Sequence, residues 1–137
     1  MPEPDDPVDA PKRILIAEDE PSMARAIKRV LTRAGYETVI ASDGFWTGSL
    51  LYTFKPDLIT LDLRMPGLDG LDVLRFLRQA AVPFNYKVLV VSAETQDRIN
   101  EALSLGAHGA LSKPFENADL LDAVRRLCGE PAANITG

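Results

Sequence analysis

The chain has 137 residues, with 15 lysines and arginines against 20 aspartates and glutamates, a formal charge of −5 and a pI near 4.8. That length suits one domain with its own core, and one cysteine with one histidine excludes an internal disulfide framework and the usual zinc clusters. No apolar run approaches the roughly 18 residues that span a bilayer, the start has neither the basic nor the apolar stretch of a signal peptide, and no basic excess favours nonspecific nucleic-acid binding, so a cytoplasmic location is the default expectation, with no membrane and no direct nucleic-acid partner.

Residues 1–11 read as a flexible arm, with four of the ten prolines, four acids and no core-forming period. Arg13 to Ala17 is a short apolar run, expected as a buried strand. Pro21 suits the first turn of a helix, Met23, Ile27, Val30 and Leu31 follow at helical spacing, and Gly35 ends it. Tyr36 to Ile40 is a second strand. A weak helix over 44–54 stops before Pro56. Asp57 to Leu61 is a third strand, and after a Pro66–Gly70 loop Leu71, Val73, Leu74 and Leu77 define a helix. Lys87 to Val91 is a fourth strand, followed by a helix marked by Ile99, Ala102 and Leu103. Gly109 to Ser112 is a fifth strand. Leu120, Leu121, Val124 and Leu127 mark the last helix, with Asn117 as the expected N-cap. Residues 129–137 read as a flexible tail.

Five repeats of apolar strand and amphipathic helix imply an α/β fold, a parallel sheet covered on both faces. Ligands of such sheets sit beyond the carboxyl ends of the strands. At those ends stand Glu18, Asp19 and Glu20 after the first strand, Asp62 after the third, Ser92 after the fourth, and Lys113-Pro114 after the fifth. Three carboxylates at close range raise one another's pKa or demand a cation, and Mg2+ is the hard cation that takes one or two carboxylates plus phosphate oxygens. Lys113 and Ser92 add a compact positive charge and a hydroxyl. The set would stabilise a phosphoryl group on a carboxylate, with Asp62 the candidate nucleophile. Glu20 reads instead as a helix cap.

The segments ILIAEDE, PDLITLDLRMPGLDG, VLVVSAE and GAHGALSKPF resemble, in that order, the receiver domain of a bacterial two-component response regulator. The resemblance covers residues 12–128. It implies a flavodoxin-like sheet of strand order 2-1-3-4-5, and phosphorylation by a sensor histidine kinase or phosphotransfer protein with Mg2+. It implies Asp62 as phosphoacceptor, and Asp19, Glu18, Asp62 and the backbone carbonyl of Arg64 as metal ligands. Ser92 becomes the switch hydroxyl, Lys113 the phosphoryl-binding lysine, and Lys113–Pro114 a cis peptide. Such a domain catalyses only its own phosphorylation and dephosphorylation and switches a surface for an unknown output protein or domain. The chain is expected as a monomer or a weak phosphorylation-dependent dimer, either a complete single-domain regulator or part of a longer protein.

Four features depart from the pattern or stand outside it. Glu18 replaces the commoner aspartate. Ala110 stands where the family usually carries a tyrosine or phenylalanine that moves with the switch hydroxyl. Either the signal takes another route, such as repacking of the helix after Ser92, or a neighbour fills the gap. Arg64 and Glu94 are expected to pair across the mouth of the site and restrict attacking water. Phe45 and Trp46 occupy positions usually polar in the family. The expectation is that they fold against the first or third helix; the competing reading is an aromatic surface for a partner. His108 reads as a turn residue and Cys128 as a packing residue without an activating base. Two competing functions remain. Haloacid-dehalogenase-like phosphatases and Toprim nucleases want Asp-x-Asp, and Arg64 stands at the second acid. A degenerate receiver that binds partners without phosphorylation is supported by Ala110 alone.

Overall fold

The computed structural model describes residues 11–67 and 69–131; of the expected arm and tail, residues 1–10 and 132–137 lie outside it. Five strands alternate with five helices: β1 Arg13–Ala17, α1 Pro21–Ala34, β2 Glu37–Ala41, α2 Gly44–Phe54, β3 Leu58–Leu61, α3 Gly70–Gln79, β4 Lys87–Ser92, α4 Gln96–Ser104, β5 Gly109–Ser112 and α5 Asn117–Cys128. The strands form one parallel sheet in the order β2-β1-β3-β4-β5, with Leu15 beside Val39 on one side and Ile59 on the other.

Side-chain alternation along each strand divides the core in two. Leu15, Ile59, Leu61, Val88 and Val90 pack with Leu51 of α2, Leu74 and Leu77 of α3 and Ala102 of α4. Ile14, Ile16, Leu58, Leu89 and Val91 pack with Ile27 and Leu31 of α1 and Leu120 and Val124 of α5. The expectation that strands are covered on both faces holds for β1, β3 and β4. The edge strands β2 and β5 are only partly covered.

Several boundaries differ by a residue for local reasons. Tyr36 precedes β2 rather than starting it; its ring is buried and its hydroxyl donates to Gly129 O at 2.8 Å. Asp57 precedes β3, its carboxylate taken by the Arg13 N–H at 2.8 Å. Asn117 is not the N-cap of α5: that position is Glu116, and no side chain caps the helix there. Glu20 caps α1, accepting from the N–H groups of Ser22 and Met23.

Helix α2 overturns the expectation for its aromatics. Thr47 and Leu51 are buried, whereas Phe45 and Trp46 are 70% and 51% exposed. The two rings meet edge to face, with centroids 5.5 Å apart.

Gly70 opens α3 against the loop that carries Asp62. A Cβ there would stand 2.3 Å from Leu63 Cα. Gly67 has φ +88° but nothing within 4 Å of a Cβ position. Overpacking against backbone costs roughly 1–3 kcal/mol, while one left-handed non-glycine residue costs about 1–2 kcal/mol. In urea unfolding, Gly70→Ala is therefore expected to lose at least as much stability as Gly67→Ala, and it alone should also displace the backbone next to Asp62, read from amide chemical shifts.

Candidate functional site

The carboxyl edge of the sheet gathers the functional side chains because three strands end there in register and continue their ladder by one residue. Glu18 N donates to Ala41 O, Asp62 N to Ala17 O and Lys113 N to Ser92 O, each at 3.0 Å. This pins the backbone on which Glu18, Asp62, Ser92 and Lys113 stand. Glu18, Asp62 and Ser92 are buried.

Asp62 is enclosed by donors. Its Oδ1 accepts from Ser92 Oγ at 3.0 Å and from Arg64 N at 3.0 Å. Its Oδ2 faces Lys113 Nζ at 3.1 Å. Lys113 Nζ also donates to Glu18 Oε1 at 2.5 Å, and Glu18 Oε2 accepts from Glu20 N at 3.2 Å. Carboxylate oxygens of Glu18, Asp19 and Asp62 lie within 4.8 Å of one another. The Lys113–Pro114 peptide is cis.

This crowding has an electrostatic signature. Burial pushes the Glu18 carboxyl up to about 7; the Lys113 hydrogen bond opposes the rise and the charge of Asp62 adds to it. For Lys113 burial acts downward, but the Glu18 hydrogen bond and the charges of Asp62 and Glu18 outweigh it and raise the pKa. The lysine is the cation that lets these acids share one pocket. The donor set is all oxygen, hard and negatively charged, which fits Mg2+ in kind.

A network of ion pairs adjoins these residues. Arg64 Nε pairs with Glu94 Oε1. Glu94 Oε2 also faces Arg98 Nε at 2.5 Å, and Arg98 Nη2 reaches Asp69 Oδ1 at 2.5 Å. Asp69 is the N-cap of α3, accepting from Leu71 N. Glu94 N donates to Ser92 Oγ at 3.3 Å, so this chain of ion pairs is anchored on the hydroxyl that touches Asp62. The sequence pointed to Arg64 and Glu94 but not to Arg98 or Asp69. Arg98 stands four residues after Glu94, a spacing that favours ion pairs on a helix; its second partner comes from a distant loop and had no sequence signal.

Other singled-out residues lie apart. Ala110 is exposed on β5. His108 ties two strands, its Nδ1 accepting from Val88 N at 3.0 Å and its N–H donating to Val88 O at 2.8 Å. Cys128 has its thiol pushed up to about 11 by burial, with the charge of Asp57 adding to it, so it is no activated nucleophile.

Comparison with known proteins agrees with this fold. A family model for the response regulator receiver domain matches residues 14–125. The alkaline phosphatase synthesis transcriptional regulatory protein PhoP of Bacillus subtilis (strain 168) is 36% identical over 116 residues, covering 85% of this chain and 48% of PhoP. The chain thus spans about half the length of that relative. The crystal structure of a signal receiver domain from Bermanella marisrubri is 48% identical, with a TM-score of 0.79 over 84% of this chain and 96% of the other. The receiver domain of the sensor histidine kinase PA1611 from Pseudomonas aeruginosa PAO1, with a magnesium ion coordinated in its active-site cleft, is 28% identical; its TM-score is 0.79 over 88% of this chain and all of the other.

The chain belongs to the response regulator receiver domain family, the phosphorylation-responsive modules of two-component signalling. Proteins of this class are signalling proteins rather than classical enzymes; their receivers meet histidine kinases or phosphotransfer proteins on one side and output domains on the other. Among the described residues no helix is long and apolar enough to cross a membrane.

Lys113 makes a separate prediction about the stability of this pocket. Removing one partner of a buried ion pair costs about 3–5 kcal/mol, so without divalent cations Lys113→Met should destabilise the fold by that order in urea. Adding Glu18→Gln should restore most of the loss, because the uncompensated buried charge goes with it.

Proposed function

We propose that Asp62 accepts a phosphoryl group from a phosphohistidine on a sensor kinase or phosphotransfer protein, in a Mg2+-dependent reaction, and that the domain then changes a surface read by its output partner. The observation that carries this reading is the enclosure of Asp62 between Ser92 Oγ and Lys113 Nζ, at 3.0 and 3.1 Å, beside two further carboxylates.

A carboxylate oxygen of Asp62 attacks phosphorus, the P–N bond breaks, and the imidazole departs with the electron pair and takes up a proton. Lys113 and Ser92 stand where they neutralise phosphoryl oxygens as charge shifts. Glu18, Asp19, Asp62 and the carbonyl of Arg64 would hold Mg2+, which supplies further charge neutralisation when bound. Dephosphorylation needs a water to reach the acyl phosphate. In this reading the Arg64–Glu94 pair restricts that approach.

Signal transmission runs, in this reading, through the ion-pair chain. Ser92 cannot follow a phosphoryl oxygen without moving its contact with Glu94 N, and the Glu94 carboxylate holds Arg98 of α4. Ala110 offers no ring to carry the change, and its exposure leaves no covering neighbour in that role. Helix α4 is therefore the element that responds.

Intact mass after incubation with a small phosphodonor and Mg2+ should show one added phosphoryl group, absent in Asp62→Asn and absent without the metal. No adduct would favour the competing reading, a module that binds partners without phosphorylation. For Arg64→Ala the dephosphorylation rate should rise. An exposed pair is worth up to about 1 kcal/mol, so the rise is at most about fivefold, and an unchanged rate would remove the pair from the access route. Amide exchange over 96–104 should change when a phosphoryl mimic is added, and the change should be lost in Glu94→Ala. No change in the unsubstituted protein would exclude α4 as the responding element.

A further inference from the structure

Of the five large exposed apolar side chains among the described residues, three border one slot, Phe45 and Tyr52 of α2 and Phe76 of α3, and a fourth, Trp46 of α2, packs edge to face on Phe45. Between the two helices is a cavity of about 530 Å³, walled by Phe45, Tyr52 and Phe76. Gly44 and Gly48 leave gaps between the α2 side chains that line it, and a Cβ at position 48 would stand 3.4 Å from Phe76 Cε2. Positions 44, 48 and 52 recur once per turn, so the slot runs about 12 Å along α2, two turns of helix. Its size lies within the ordinary range of binding pockets, and its lining is mostly apolar as such sites are.

Charge decides the occupant. Asp72 is the one ionised side chain in the lining, its side chain is 57% exposed, and Arg75 takes only its Oδ1, at 2.7 Å. Residues 1–10 carry four acids and no lysine or arginine, and residues 132–137 carry no charged side chain. Neither segment complements Asp72. A second copy would bring two Asp72 carboxylates into one apolar interface, between molecules that each carry −5. A basic, amphipathic segment of another protein has neither defect.

We propose that the α2–α3 slot docks an amphipathic helix of a protein partner, with bulky aliphatic residues against the aromatic walls and a lysine or arginine against Asp72. Helix-in-groove recognition of this kind uses anchors at one face of the incoming helix. The aromatic walls supply large contact area at low conformational cost.

Trp46, the chain's one tryptophan, stands beside the slot against Phe45 and reports on it. The probe is a leucine–lysine peptide with apolar residues at helical spacing, compared with the same peptide bearing glutamate for lysine. The lysine peptide should shift Trp46 emission to the blue and bind at least about tenfold more tightly than the glutamate peptide, a difference of roughly 1.4 kcal/mol. Gly48→Leu fills the slot without altering charge and improves helix propensity; it should weaken the lysine peptide about tenfold while the circular dichroism spectrum is kept. Asp72→Asn should narrow the gap between the two peptides. Equal binding of the two peptides would overturn the proposal. So would undiminished binding to Gly48→Leu, which marks mere attraction to an acidic protein. A dimer in sedimentation that Gly48→Leu abolishes would also overturn it, in favour of a second copy as occupant.

Discussion

Everything at the carboxyl edge of the sheet depends on one charge balance, the Lys113 ammonium between the buried carboxylates of Glu18 and Asp62. Without it, two acids with almost no access to water would face each other at the ends of β1 and β3. Even with the lysine in place, burial and the charge of Asp62 outweigh its hydrogen bond and raise Glu18 to about 7. The lysine comes from the far side of β4, at the end of β5, and the sheet has to hold its order for the ammonium to arrive. Fold and site are thus coupled: the strand order places the countercharge, and the countercharge makes the acid pocket tolerable.

The same arrangement suits a group that arrives with negative charge. A phosphoryl group adds oxygens that need donors, and Lys113 Nζ, Ser92 Oγ and the Arg64 N–H already point at the acceptor. Little new structure has to form. In the proposed reading, what changes is the sharing of those donors between Asp62 and its phosphoryl oxygens. Because Ser92 is also bonded to Glu94 N, such a redistribution would reach the Arg64–Glu94–Arg98–Asp69 chain and with it α3 and α4. The exposed pairs in that chain contribute little to stability singly. Their importance lies in which elements they join.

Helix α2 shows a different economy. Its buried residues, Gly44, Thr47 and Leu51, are small or aliphatic, while Phe45, Trp46 and Tyr52 face outward and Phe54 alone of its rings packs against the core. Exposed aromatics clustered on one face mark an interaction surface more often than a stability device. The glycines that weaken the helix are the ones that open the slot. This face lies on the side of the sheet covered by α2, α3 and α4, the side to which the ion-pair chain also leads.

Much of this was legible in the sequence because it depends on local pattern. Apolar runs of four to six residues, prolines at helix starts and glycines at helix ends set the five strand–helix repeats, and right-handed crossovers then dictate which ends of the strands carry Glu18, Asp62, Ser92 and Lys113. The strand order itself came from resemblance, since periodicity does not say which strands are neighbours. Three things waited for tertiary structure. Asn117 looks like a cap, but capping is decided by backbone geometry, and the chain enters α5 one residue earlier. Arg98 and Asp69 are ordinary surface charges until the packing of α4 beside the start of α3 brings them to 2.5 Å. Phe45 and Trp46 are apolar enough to be expected inside, yet Leu51 and Thr47 already fill the contact of α2 with the sheet. Burial is a competition for a finite interior, and a sequence lists the competitors without showing which side of the helix wins.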